Sequence, residues 1–76
     1  MRLEEFTMER NVLEIGDEVS VSEWKLPFAY YYTAEPALAM SGNYETLNRI
    51  LSKTGIVKEK VLQEDGSYIV MIEFEN

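Results

Sequence analysis

The chain contains no His and no Cys, so its chemistry rests on carboxylates, hydroxyls, amines and aromatic rings. That removes the commonest general base, the thiol nucleophile and the two side chains that dominate transition-metal sites. Ser20, Ser22, Ser41, Ser52 and Ser67 lack an imidazole partner, and none occupies a Gly-x-Ser-x-Gly elbow. Ser52 precedes Lys53, but adjacent residues on a helix do not face each other. The acidic pairs Glu4-Glu5, Asp17-Glu18 and Glu64-Asp65 lack calcium-loop spacing and read as solvated strand starts and turns. The glycines are scattered, so no loop is built to cradle a phosphate. The expectation is a protein that is not an enzyme, with no catalytic residue, no metal site and no cofactor.

The aromatic rings are the chemistry that remains. Residues 23–44 gather six of the nine: Trp24, Phe28, Tyr30, Tyr31, Tyr32 and Tyr44. In a chain this small, a few rings can form much of a core. Three consecutive tyrosines on an extended segment cannot all point inward, however, because side chains alternate. Either Tyr31 is exposed and its neighbours are buried, or the reverse. Trp24, Phe28, Tyr30, Tyr31 and Tyr32 are therefore the candidate partner-binding residues, and protein–protein interaction is the leading reading. An alternative stacks single-stranded nucleic acid on the same rings, with Arg49, Lys53, Lys58 and Lys60 as the cationic track it would need. The net charge of −7 works against attraction to phosphates. It leaves a third reading, an acidic DNA mimic that inhibits a nucleic-acid enzyme.

These residues need elements to hold them. The clearest is a C-terminal β-hairpin over residues 54–75 turning at Asp65-Gly66, a pair suited to a two-residue type I′ turn. That register sets Val61 against Val70 and Val57 against Phe74, and places Val57, Val61, Tyr68, Val70, Ile72 and Phe74 on one buried face. Leu62, Ile69 and Met71 fall on the other, which then needs cover from residues 33–53 or a second copy of the chain. Upstream, Leu13, Ile15, Val19 and Val21 share a face of a strand entered near Gly16-Asp17. Residues 33–53 read as a helical insertion: a short turn capped by Thr33 with Pro36 near its start, then a helix from Asn43 carrying Tyr44, Leu47 and Leu51, stopped at Gly55. Residues 1–11 hold few apolar positions and read as a frayed or edge segment.

Gly16-Asp17-Glu18-Val19, Thr54-Gly55-Ile56-Val57 and Ile72-Glu73-Phe74 together resemble the small barrels of the Src-homology-3 type. The Ala39-Met40-Ser41-Gly42-Asn43-Tyr44 run, after a proline-aromatic stretch, resembles small uncharacterised bacterial proteins. The first resemblance implies a mainly β, partly open barrel of about five strands, and the second implies no activity. The helical insertion departs from an ordinary proline-peptide groove. Length bounds the chain to a single domain over residues 1–76, as monomer or homodimer. The absence of an apolar run after Met1-Arg2, or of any stretch near the roughly 18 apolar residues of a membrane span, leads to an expectation of no membrane and a cytoplasmic setting.

Overall fold

In a computed structural model, which describes residues 1–35 and 39–76, the chain forms a closed antiparallel barrel of six strands. They are β1 (Arg2–Met8), β2 (Glu18–Lys25), β3 (Tyr30–Glu35), β4 (Ala39–Ser41), β5 (Thr54–Leu62) and β6 (Tyr68–Phe74). Around the barrel the order is β1-β4-β3-β2-β5-β6, and β6 returns to β1. The mainly β small barrel is therefore as expected, but it is closed and has six strands. Closure leaves the strand faces to make the core, and Phe6, Met8, Val19, Tyr32, Val57, Val70, Ile72 and Phe74 fill it.

The sixth strand comes from the terminus expected to fray. β1 pairs with β6 along its whole length and with β4 at its end, burying Phe6 and Met8. Its inward parity also includes Arg2 and Glu4 at the barrel mouth, so its apolar alternation is only half written.

The helical insertion is largely replaced by strand. Thr33 lies within β3 and Ala39–Ser41 form β4; the turn expected around Pro36 lies outside the described residues. Only a 3₁₀ turn at Thr46–Asn48 remains of the second helix, with Leu47 exposed and Ile50 buried. A ten-residue helix has little stability of its own. Here the carbonyls of Asn48 and Arg49 instead accept hydrogen bonds from the Arg2 guanidinium, at 2.9 and 3.0 Å. Residues 42–53 thus run as a strap across one end of the barrel.

The hairpin is real and its register is not the expected one. Gly66 N–H donates to Gln63 C=O at 3.1 Å and Gln63 N–H to Ser67 C=O at 2.8 Å, a three-residue loop with Gly66 at φ +88°. Asp65 keeps negative φ, which excludes type I′, and its carboxylate accepts from both the N–H and the hydroxyl of Ser67. This is the turn-plus-bulge alternative for a hairpin loop. Val61 then faces Ile69, and Val61 is 57% exposed, not buried. A second shift between Val57 and Glu59 sets Val57 against Ile72. Lys60 takes the inward position opposite Val70, and its ammonium reaches Asn11 and Glu14 at 2.8 and 2.9 Å.

Residues 9–17 close the end opposite the strap, with Leu13 buried. Ile15, expected to share that burial, is exposed, because the chain turns at Glu14–Asp17 before β2 starts. Ile69 and Met71 do lie outside the barrel, but Leu62 pairs with Tyr68 on the other face. Among the described residues, no element from 33–53 covers that outer face; elements pack chiefly against their hydrogen-bonded neighbours. No helix among them is long and apolar enough to cross a membrane.

Candidate functional site

β2 and β3 pair from Ser20–Glu35 to Lys25–Tyr30 and turn through residues 26–29, with Leu26 N–H donating to Ala29 C=O at 2.7 Å. β2 pairs with β5 only from Glu18 to Ser20, and β3 with β4 only at Thr33 and Ala34. Beyond these pairs β2 is tied to Lys53 through the Val21 N–H and β3 to the strap through a Tyr30–Tyr44 bridge, so the exposed parts of this two-stranded ribbon are its outer face and its tip. Pro27 sits in its turn, where it removes no ladder hydrogen bond.

Alternation divides the five candidate residues. Tyr32 points inward and is 1% exposed, Tyr30 is half-buried on the same side, and Tyr31 faces out. Tyr31 is directly opposite Trp24, and their rings stack at 6.3 Å with 16° between planes. The Trp24 indole N–H donates to Thr33 Oγ1 at 3.1 Å, which fixes the ring along the outer face. Trp24 is 47% exposed, and Phe28 at the ribbon tip is 95% exposed. The geometry thus pairs Trp24 with Tyr31 on the outer face, leaves Phe28 exposed in the connecting turn, and withdraws Tyr30 and Tyr32 to the inner side.

Tyr30 and Tyr32 anchor the strap. Glu23 Oε2 accepts from the Tyr32 hydroxyl at 2.6 Å, and Glu23 also takes the Arg49 guanidinium through both oxygens, at 2.9 and 2.6 Å. The same Tyr32 hydroxyl accepts the Ile50 N–H at 2.8 Å, and Arg49 lies over the Tyr30 ring at 4.5 Å. Beside it, Glu4 accepts from Tyr44 at 2.7 Å and from Arg2 at 2.7 Å. Arg49 hydrogen bonding holds the Glu23 carboxyl below the usual carboxylate range. Burial, then the Glu23 acceptor, pushes the Tyr32 hydroxyl up, and burial does the same to Tyr44 ahead of Glu4. Every strong polar group in these two clusters has a partner, and together they tie the strap to the barrel.

The four bases of the nucleic-acid alternative are not presented as a free track. Arg49 is engaged by Glu23 at the strap, Lys60 by Glu14 near the opposite end, and Lys58 lies 3.8 Å from Glu73. Lys53 lies where the strap meets β2, its carbonyl accepting from Val21 N–H. Among the described residues, no three acidic side chains converge as a metal site would require.

Sequence reasoning missed one contributor to this end of the barrel. Leu47 is 96% exposed on the strap, whose Tyr44 exchanges two backbone hydrogen bonds with Tyr30, at 2.7 and 2.8 Å. Two large apolar side chains, Phe28 and Leu47, therefore stand almost wholly in water on adjoining segments. Helical spacing had assigned Leu47 to a buried stripe, so the signal read in the opposite sense. Comparisons with protein-family models, curated proteins and solved structures each return no match.

Proposed function

We propose that the chain is a non-catalytic binding module that engages a protein partner through the outer surface of the β2–β3 ribbon. Trp24, Tyr31 and Phe28 make the contact. The observation that carries this reading is Phe28, a large ring 95% exposed at the tip of a ribbon whose outer face already holds the Trp24–Tyr31 stack. Scattered exposed apolar side chains are ordinary, whereas aromatic anchors gathered on one hairpin resemble the energetic centre of an interface. Tyr30 and Tyr32 act in this reading as supports. The closed small barrel also supports a likeness to the Src-homology-3 type, with the ribbon as its binding edge.

The test compares proteins captured from native-cell extract by the wild-type chain and by Phe28→Ser and Trp24→Ala. A specific partner retained by the wild type and lost from both variants, each still folded, is the expected result. Equal capture by all three refutes the reading. Single-stranded DNA titrated at about 50 mM salt, where electrostatic affinity is strong, separates the nucleic-acid alternative; saturable binding there would favour it.

A further inference from the structure

The strap presents the barrel with a ligand of a particular kind. Arg49 gives its guanidinium to both oxygens of Glu23, at 2.9 and 2.6 Å, and lies over the Tyr30 ring at 4.5 Å. The next residue, Ile50, donates its N–H to the Tyr32 hydroxyl at 2.8 Å and is 3% exposed. Glu23, Tyr30 and Tyr32 all belong to the β2–β3 ribbon, and Glu23 lies directly opposite Tyr32. A carboxylate that takes a guanidinium with both oxygens, an aromatic face and a hydroxyl acceptor together make a seat for arginine followed by a main-chain N–H.

The seat does not depend on the strap for its shape. The Tyr32 ring is buried in the core and its hydroxyl donates to Glu23 at 2.6 Å, so hydroxyl and carboxylate hold each other when Arg49 leaves. On β1, Arg2 likewise keeps Glu4 at 2.7 Å. Lifting the strap therefore leaves the barrel-side groups partnered, while the Ile50 N–H and the Asn48 and Arg49 carbonyls pass to water. The strap has little else to hold it. Its ends are fixed by backbone bonds of Tyr44 to Tyr30 and of Lys53 to Val21; among the described residues between them, Ile50 alone is buried. Leu47 and Leu51 are exposed, and the Arg49 and Glu23 side chains are 34% and 30% exposed, where an ion pair contributes modestly. A segment ordered around one buried side chain opens more easily than the strands around it.

We propose that the strap is a self-ligand, and that a partner segment carrying arginine followed by an aliphatic residue displaces Arg49 and Ile50 from this seat. The occupant's chemistry is read from the contacts the strap itself makes: a planar cation for Glu23 and Tyr30, a main-chain N–H for Tyr32, and an apolar side chain for the barrel mouth. The exchange is neutral in charge at Glu23, one guanidinium replacing another. The seat lies on the opposite side of the ribbon from the Trp24–Tyr31 stack, so it is a second site and does not rest on the reading above.

The probe is the capped peptide Leu-Asn-Arg-Ile-Leu-Ser, which repeats the strap, added to the isotopically labelled full chain. With Arg49→Ser and Ile50→Ser combined, which empties the seat, the peptide binds with shifts centred on Glu23, Tyr30 and Tyr32. Citrulline in place of its arginine weakens binding at least about tenfold. The wild-type chain binds the peptide at least about tenfold more weakly than the variant, because the tethered strap competes at high effective concentration. Since the variant can fail to fold, wild-type amide exchange is followed as well. The Ile50 N–H exchanges at least about tenfold faster than the Val70 N–H of the core, and excess peptide speeds Ile50 alone. An Ile50 amide no faster than Val70 or indifferent to peptide, no binding to the folded variant, or equal binding of the citrulline peptide overturns the proposal. Shifts confined to Trp24, Tyr31 and Phe28 would also overturn it, leaving the outer surface standing and removing only the seat.

Discussion

Tyr32 shows how one side chain serves core and strap together. Its ring fills the barrel, and its hydroxyl joins Glu23 to Ile50 at the mouth. Tyr32→Phe keeps the ring and leaves the buried Ile50 N–H without its acceptor, a loss of about 1–3 kcal/mol in denaturant unfolding. The pH profile follows from the same contacts. Glu23 has a depressed folded pKa, so its contribution is present above the unfolded carboxylate value of about 4.3 and is lost as pH falls through the lower folded value. Tyr32 has a raised folded pKa, so its contribution is present below the unfolded value of about 10 and is lost as pH rises through the folded one. Unfolding measured across pH should therefore show an acid limb softened by Arg49→Met and an alkaline limb softened by Tyr32→Phe. Phe28→Ser, in contrast, should leave stability within about 0.5 kcal/mol, because the ring touches little that is buried.

At the scale of elements, Gly55 and the hairpin turn carry the clearest consequences. A Cβ on Gly55 would lie 2.6 Å from Ile72 Cγ2 and 2.8 Å from both Glu73 O and Phe74 Cε1. Gly55→Ala should thus destabilise the barrel by about 1–3 kcal/mol, read as a lowered denaturant midpoint. Val61→Asp should be mild, since Val61 is exposed, while Val70→Ala should cost about 2 kcal/mol or more from the core. The first reverses what a two-residue turn would imply, and the second agrees with it. The Asp65-Gly66 pair announced a hairpin in the sequence, but its register depended on the loop that Asp65 sets by bonding Ser67 and on the bulge near Lys58, neither of which has a hydrophobic signature. β1 was obscured because Arg2 and Glu4 occupy inward positions at the mouth. The strap mimicked a helix because Tyr44, Leu47 and Leu51 carry helical spacing, whereas two arginine-centred clusters decide its path. Of the site, alternation along Tyr30–Tyr32 was legible as a choice between two faces; the Trp24–Tyr31 pairing needed the register to choose one.

Across the whole molecule, closure and charge set what surface is left for recognition. The barrel leaves most backbone groups paired around its circumference, and its two ends are plugged by residues 9–17 and by the strap. The β2–β3 ribbon is the element that carries both the stacked Trp24–Tyr31 pair and the exposed Phe28. The acidic surface should make partner association slow as salt is raised, visible as a falling association rate with little change in dissociation. The central claim is that the ribbon is the contact surface. Amide shifts and cross-saturation measured on the labelled chain with its captured partner test it most directly. The account predicts effects centred on residues 22–33. Effects centred instead on Val61, Ile69, Met71 and Met40, the apolar outer face of the barrel, would contradict it.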